Sequence, residues 1–82
     1  MTTTAARKVF VVQGPASAQL PLRLLNYFAQ QGLLPEAVDL RKSSLGIAVR
    51  IVDTALDGHR AAIVLAKMQA FPDVASALLE HG

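Results

Sequence analysis

The sequence predicts an α+β domain in which a four-stranded antiparallel sheet carries two helices on one face. Three observations support this prediction. Two segments space their apolar residues as amphipathic helices do, and two adjacent segments alternate apolar and polar residues as half-buried strands do. A β-rich apolar run also lies near each end of the chain. The predicted order is strand, helix, strand, strand, helix, strand.

The first strand is predicted over residues 7–13 (RKVFVVQ), and Gly14-Pro15 follows it as a turn signal. The first helix is predicted over residues 20–31, with Gly32 as its C-terminal stop. Its apolar residues at helical spacing are Leu20, Leu24, Leu25 and Phe28.

Two starts are open for this helix. Ser17 has the side chain of an N-terminal cap, but Pro21 would then lie inside the helix and remove a backbone donor. A start close to Pro21 is the alternative, because proline is well tolerated in a first turn.

The next two segments predict a hairpin that buries one face. Residues 36–42 alternate, with Val38 and Leu40 on one side, and residues 47–53 alternate again. The intervening Ser-Ser-Leu-Gly at residues 43–46 is typical of a hairpin connection. The apolar side of the second of these strands carries Ile47, Val49 and Ile51.

The second helix begins either at a capping box starting at Thr54 or at Asp57 as the N-cap, and it runs to Ala70. Phe71-Pro72-Asp73 ends it, and residues 74–79 form the last predicted strand. The helix face toward the sheet carries Ala61, Val64, Leu65 and Met68.

Right-handed crossovers turn this order into a ferredoxin-like βαββαβ sandwich, with both helices on one face of the sheet. The other face is then left uncovered. Residues assigned to that face, or to the core in another register, are Val9, Val11, Ala48, Val52, Ala75, Ala77 and Leu79. We expect this apolar surplus to be covered by a second molecule.

The composition is that of one small folded domain. Of 82 residues, 52% are hydrophobic and 17% are charged, which excludes intrinsic disorder of the whole chain. We expect a disordered N-terminal tail over residues 1–6 and a single domain over residues 7–80.

The composition also excludes several kinds of binding partner. The chain has no cysteine, which excludes disulfides and thiolate metal sites. Its net charge of +2 comes from dispersed bases, and its longest apolar run, residues 61–66, is far shorter than the roughly 20 residues that cross a bilayer. We expect a cytoplasmic protein that has no nucleic-acid or membrane partner and no cofactor.

The clustered polar residues favour structural roles. Asp53, Asp57 and His59 lie close together in the chain, but a strand end, a helix cap and an exposed histidine explain them better than a metal or acid–base site. No catalytic dyad or nucleophile motif is present, so we expect no enzyme activity and no catalytic residues. Asp39, Arg41 and Arg50 are expected to form cross-strand charge pairs, or else to line a dimer edge or an anion site.

The pattern resembles an ACT domain, a small ligand-sensing module found with enzymes of amino-acid metabolism. The resemblance covers about Val9 to Glu80 and includes Leu24 and Phe28 leading to Gly32. It also includes an Ile-rich third strand ending at Asp53. The segment Phe71-Pro72-Asp73-Val74 resembles the family's leucine-proline-glycine-valine entry into the last strand. The short layout is similar to the regulatory small subunits of acetohydroxyacid synthase.

This resemblance implies a non-catalytic regulatory domain that binds an amino acid at a homodimer interface, near the loop between the first strand and the first helix. The residues it points to are Gln13, Gly14, Pro15, Ala16, Ser17, Gln19, Leu33 and Leu34. The loop departs from the family pattern, because the usual glycine falls on Gln19 and the usual acid on Ala16.

Gly14-Pro15 can also be a simple turn with no role in binding. Two other functions of the whole domain stay open. One is a ligand-free interaction subunit that docks on a larger amino-acid biosynthetic enzyme. The weaker one is an RNA-binding sandwich, although the third strand offers no aromatic residue for stacking on bases.

Overall fold

The computed structural model describes residues 7–81 and contains six elements in the predicted order. The expected tail, residues 1–6, lies outside the described residues. The strands and helices are β1 (Lys8–Gly14), α1 (Gln19–Gln30), β2 (Ala37–Ser43), β3 (Gly46–Asp53), α2 (Gly58–Gln69) and β4 (Ser76–His81).

The four strands form one antiparallel sheet in the order β2-β3-β1-β4, which confirms the predicted ferredoxin-like topology. In the β1–β3 register, Gly14 lies opposite Ile47 at one end of the sheet and Lys8 lies opposite Asp53 at the other. These are called the Gly14 end and the Lys8 end. The β2–β3 turn and the loop before α1 lie at the Gly14 end, whereas α2 begins beyond the Lys8 end.

The core lies between both helices and one face of the sheet. Phe10 and Val12 of β1 are fully buried there, and the Phe10 ring meets Phe28 of α1 edge-on at 5.7 Å between centroids. From α2, the predicted stripe supplies Ala61, Val64 and Met68 to the same core. The buried core residues are Phe10, Val12, Leu20, Leu24, Tyr27, Phe28, Ile47, Val49, Ile51, Leu56, Ala61, Val64, Met68 and Ala77.

The last strand corrects one expectation and decides between two alternatives of another. It begins at Ser76 instead of residue 74, because the turn after α2 continues through Val74, whose N–H donates to the Phe71 carbonyl at 3.1 Å. In the β1–β4 register, Ala77 and Leu79 lie on the helix-covered face and pack into or against the core. Of the two alternatives left open for these residues, the structure therefore selects the core, because the register decides which face a strand residue points to.

The hairpin forms as predicted, but its first strand does not bury its apolar side. Val38 and Leu40 lie opposite Ile51 and Val49 on the helix-covered face, yet they remain 42% and 51% exposed. The reason is position in the sheet. β2 is the outer strand, and the buried core draws on β1, β3, β4 and the helices.

Helix α1 begins at Gln19, between the two predicted starts at Ser17 and Pro21, and it ends before Gly32 as predicted. Ser17 Oγ accepts from the Gln19 N–H at 3.1 Å, and Pro21 lies within the first turn, where its missing N–H costs nothing. At the other end Gly32 has φ +72°, and Leu33 N–H donates to the Phe28 carbonyl at 2.8 Å. This is a Schellman-type termination that glycine favours.

The second helix starts at Asp57, so the Thr54 alternative is wrong. Asp57 Oδ1 accepts from the Arg60 N–H at 2.7 Å, as an N-cap does. Asp53 organises the preceding turn, because its Oδ1 accepts from Ala55 N–H at 2.7 Å and Leu56 N–H at 3.0 Å.

Replacing the cap tests this start. Asp57→Ala is expected to lower the free energy of unfolding by about 1 kcal/mol, because one N–H of the first turn loses its acceptor. Asp57→Asn keeps an acceptor and should stay close to the parent protein. Urea unfolding at neutral pH measures both, and an equal loss in the two variants would contradict the capping role.

Glycine 14 gives a second test. A Cβ at Gly14 would overlap the Asp73 carbonyl oxygen and lie 2.8 Å from Leu20 Cδ2, whereas a Cβ at Gly58 would meet open space. We expect Gly14→Ala to cost about 1–3 kcal/mol of stability through overpacking.

The matched control is Gly58→Ala, which should be neutral or stabilise by up to about 1 kcal/mol. Equal unfolding midpoints for the two variants would show that the backbone at Gly14 is not tightly packed.

Candidate functional site

The loop from Gln13 to Gln19 lies where three segments meet. Gly14 carries no side chain because the Asp73 backbone occupies that space. Gly46 of the β2–β3 turn has φ +136°, and a Cβ there would overlap the Gly14 carbonyl oxygen. Close backbone packing therefore explains why residues 14 and 46 are glycines. The Gly14-Pro15 turn forms part of this packed end of the sheet.

A hollow of about 380 Å³ opens between this loop and the β2–β3 turn. It contains three of the sequence-predicted residues, Gln13, Gly14 and Pro15. Its polar groups are already engaged locally, because Ser43 Oγ accepts from Leu45 N–H at 3.2 Å and Ser76 Oγ donates to Gln13 Oε1 at 3.4 Å. The other lining residues are Ser43, Leu45, Gly46, Ile47, Ala48 and Ala75.

A second hollow, of about 260 Å³, lies between the start of α1 and the helix-facing side of β2. It contains Ala16 and Ser17 from the predicted site, together with Lys42. The remaining lining residues are Ala18, Pro21, Leu40 and Ile47. Leu40 and Lys42 are not among the sequence-predicted site residues, although their alternation with Val38 places all three on one side of the strand.

The first turn of α1 contains no negative charge to offset the partial positive charge of the helix N-terminus. Ala18 at the N-cap offers no side-chain acceptor, and the first turn has no acidic residue. The partial positive charge of the helix N-terminus therefore has no internal anion beside it, unlike α2, which Asp57 caps. Lys42, a positively charged residue, also lines this hollow.

The structure does not bring all the predicted site residues together within one chain. Gln19 is the first residue of α1, at the Gly14 end. Leu33 and Leu34 follow the far end of this 12-residue helix, about 18 Å away along its axis. Just beyond them, Glu36 N–H donates to the Val52 carbonyl at 2.7 Å, near the Lys8 end. Leu33 packs against the core, and Leu34 is 91% exposed.

The charged residues of the hairpin pair differently from the expectation. Asp39 lies opposite Arg50 in the register, but its ion pair in the described part of the chain is with Arg41, two residues along the same strand. Arg41 Nε donates to Asp39 Oδ2 at 2.9 Å. The pKa of Arg41 is raised above its ordinary value by this hydrogen bond and then by the attraction of the carboxylate.

Asp53, Asp57 and His59 show the structural roles favoured above. Both carboxylates accept from backbone N–H groups, and His59 is exposed in the first turn of α2. Asp53 Oδ2 is buried and has no hydrogen-bond partner within the described residues. Nowhere in residues 7–81 do three acidic or histidine side chains form a group that could hold a metal.

Exposed large apolar side chains lie on several elements, among them Leu34, Leu45 and Ile63. On the helix-free face, Val9 and Val52 are buried, and Leu78 is the large apolar side chain that remains exposed. Four further partly exposed apolar side chains lie on α1 and on the outer strand that it borders. We call this the α1–β2 flank, made of Leu22, Leu25, Val38 and Leu40, which are 36–61% exposed.

Two contacts fix the side of α1 that belongs to this flank. Pro21 lines the second hollow with Leu40, and Leu25 lies one turn further along the same side of the helix. On the opposite side, Arg23 Nη1 forms an ion pair with Asp73 Oδ2 at 2.7 Å. Part of the exposed apolar surface therefore lies on the α1–β2 flank, whereas on the helix-free face Leu78 is the exposed large apolar side chain.

Comparisons with known proteins agree with this fold. A family model described as an ACT-like domain matches residues 2–82. The solution structure of the C-terminal domain of the MgtC protein from Mycobacterium tuberculosis is similar, with a TM-score of 0.72 at 8% sequence identity. That match covers 100% of this chain and 93% of the MgtC domain. No curated protein sequence matches the chain. The helices of the described residues are too short to cross a membrane.

Proposed function

We propose that this chain, which belongs to the ACT-like domain family, is a small non-catalytic regulatory module that binds an amino acid between two copies of itself. ACT-like domains are typically regulatory or ligand-sensing. The observation that carries the proposal is the second hollow, where the uncapped start of α1 faces Lys42 across a small apolar space.

The charges of this hollow suit the carboxylate of an amino acid. The N-terminus of α1 presents its partial positive charge to an anion, although Ser17 Oγ already accepts from the Gln19 N–H and Pro21 has no N–H to donate. The ammonium group of Lys42 adds a second attraction, and Pro21, Leu40 and Ile47 offer apolar contact to a side chain. The hollow, about 260 Å³, is smaller than the roughly 300–1,000 Å³ typical of drug-sized sites, which favours a small ligand.

A second copy is part of the proposal because one chain separates the predicted site residues. Leu33 and Leu34 lie at the far end of α1 from the Gln13–Gln19 loop. They can therefore join that loop around one ligand only if they come from another molecule. A homodimer with its first helices antiparallel provides this arrangement. The proposal places the protein in the cytoplasm.

The alternative function is a ligand-free interaction subunit that docks on a larger amino-acid biosynthetic enzyme. The exposed α1–β2 flank favours it, since four neighbouring apolar side chains are left open to solvent. In this case a larger enzyme or a second copy would cover the flank, and no amino acid would stabilise the chain. The response of thermal unfolding to amino acids therefore separates the two functions.

Thermal unfolding with each of the proteinogenic amino acids tests ligand binding. A true ligand at a hundredfold excess over its Kd should stabilise the protein by about 2.7 kcal/mol. For a domain of this size, each kcal/mol raises the Tm by about 4–8 °C. An unchanged Tm across the whole set would contradict the amino-acid proposal.

Substitutions at Lys42 test where the ligand binds. With the amino acid that gives the largest shift, Lys42→Met should weaken binding about tenfold or more, because a charge-assisted contact to the carboxylate is lost. Lys42→Arg should retain most of the affinity. Isothermal titration calorimetry measures all three proteins.

The matched control is Arg60→Met, which removes the same charge from the far end of the sheet, where Arg60 is exposed. An equal loss of affinity in Lys42→Met and Arg60→Met would show that the second hollow is not the site.

A further inference from the structure

We infer that the first hollow, the one of about 380 Å³ between the Gln13–Gln19 loop and the β2–β3 turn, is a binding site for a phosphate group. It is separate from the proposed amino-acid site. Gln13 and Ala48 of the first hollow lie on the helix-free face of the sheet. Leu40 and Lys42 of the second hollow lie on the helix-covered face. The inference goes beyond the proposed function, because it needs neither an amino acid nor a second copy.

The small side chain of Ala48 leaves room for a ligand on the sheet. On the helix-free face, one row across β2, β3, β1 and β4 reads Arg41, Ala48, Gln13 and Ser76. Neighbouring strands lie about 4.7–4.9 Å apart, so Arg41 and Gln13 are about 9.5 Å apart with a methyl group between them. Arg50 lies two residues from Ala48 along β3, about 7 Å toward the Lys8 end. Long polar side chains therefore border Ala48 on three sides.

The local hydrogen bonds of this hollow use acceptor atoms and leave donors. Ser43 Oγ accepts from Leu45 N–H at 3.2 Å, so the Ser43 O–H remains to donate. Gln13 Oε1 accepts from Ser76 Oγ at 3.4 Å, so the two N–H groups of Gln13 Nε2 also remain. The described residues that line the hollow include no acid. Such a set of donors suits a ligand that only accepts hydrogen bonds.

Two arginines give this part of the face a net positive charge. Arg41 Nε donates to Asp39 Oδ2 at 2.9 Å, and the terminal nitrogens of its guanidinium can donate to another acceptor. Arg50 lies opposite Asp39 but forms no ion pair within residues 7–81. One carboxylate thus faces two guanidinium groups, which leaves an excess positive charge for an anion. Guanidinium groups match the geometry of phosphate oxygens.

Donors on three sides favour a phosphate group over a carboxylate. Gln13, Arg41 and Arg50 approach the space over Ala48 from different directions. A phosphate monoester carries three acceptor oxygens and a charge of about −1.5 to −2 at neutral pH, whereas a carboxylate has two oxygens in one plane. At the Gly14 end, the exposed Leu45 offers apolar contact to the organic part of a monoester.

Titration of the ¹⁵N-labelled protein with inorganic phosphate at constant ionic strength tests the site. Amide signals around the first hollow, including the side chain of Gln13, should shift and saturate with a Kd of about 1 mM or lower. Acetate, the carboxylate probe, should bind about tenfold more weakly or not at all. Absence of saturation with phosphate, or equal binding of acetate, would overturn the inference.

Glycerol 3-phosphate distinguishes the two sources of a phosphate group. Tighter binding than inorganic phosphate would identify a phosphorylated small molecule as the ligand class. Equal binding would identify the phosphate group alone as what is recognised. Either result supports the site.

Gln13→Glu tests where the phosphate binds. The variant keeps the size of the side chain and an acceptor for Ser76, but it replaces the amide donor with a negative charge. The Kd for phosphate should rise about tenfold or more. The matched control is Lys42→Met, which removes a positive charge from the opposite face and should leave the Kd nearly unchanged. A loss in Lys42→Met with normal binding in Gln13→Glu would place the phosphate at the start of α1 and overturn the inference.

Asp39→Asn gives a prediction in the opposite direction. It removes the carboxylate that competes for Arg41, so the Kd for phosphate should fall about threefold. Arg50→Met should raise the Kd about tenfold, whereas Arg60→Met, beyond the Lys8 end, should not. Weaker binding in Asp39→Asn, or equal losses in the two arginine variants, would contradict the role of these charges.

The outcomes are separate from those of the proposed function. Phosphate saturation with a flat thermal response to amino acids would reject the amino-acid proposal alone. A Tm shift with an amino acid but no phosphate saturation would reject the phosphate site alone.

Discussion

Close backbone packing at Gly14 is the constraint on which the rest of the Gly14 end depends. The end of β1, the β2–β3 turn and the connection into β4 all meet there, and side-chain atoms at residues 14 and 46 would overlap backbone oxygens. This contact fixes where the Gln13–Gln19 loop leaves the sheet. It also fixes where α1 begins relative to β2, and so where the second hollow lies.

The two helices cover the sheet unequally. The buried side chains of α1 and α2 pack on β1, β3 and β4, so the apolar residues of β2 remain partly exposed on the same face. The opposite face is less apolar than its strand patterns predict, since Ala77 and Leu79 point into the sandwich and leave Leu78 outside. Part of the surplus of hydrophobic residues is therefore exposed along the β2 edge.

The candidate site offers two sources of positive charge to an anion. One is the uncapped N-terminus of α1, and the other is Lys42 on the outer strand. Neither is a binding site by itself, but both lie at the edge where a second copy would close the space between them. Ligand binding and dimer formation would then be coupled, because a ligand held between two copies stabilises the dimer.

Much of the fold is determined by the sequence. The alternation of β2 and β3, the helical stripe of α2, the stop at Gly32 and the cap at Asp57 are local signals, and each element lies within two residues of its prediction. Of the site, the sequence indicated the loop before α1 but not Leu40 or Lys42. Only the tertiary structure decided that β2 is left uncovered and that Lys42 lies beside α1. It also decided that Leu33 and Leu34 are far from the loop they were grouped with. Periodicity records which side of a segment is apolar, whereas long-range packing determines which segment, if any, lies against that side.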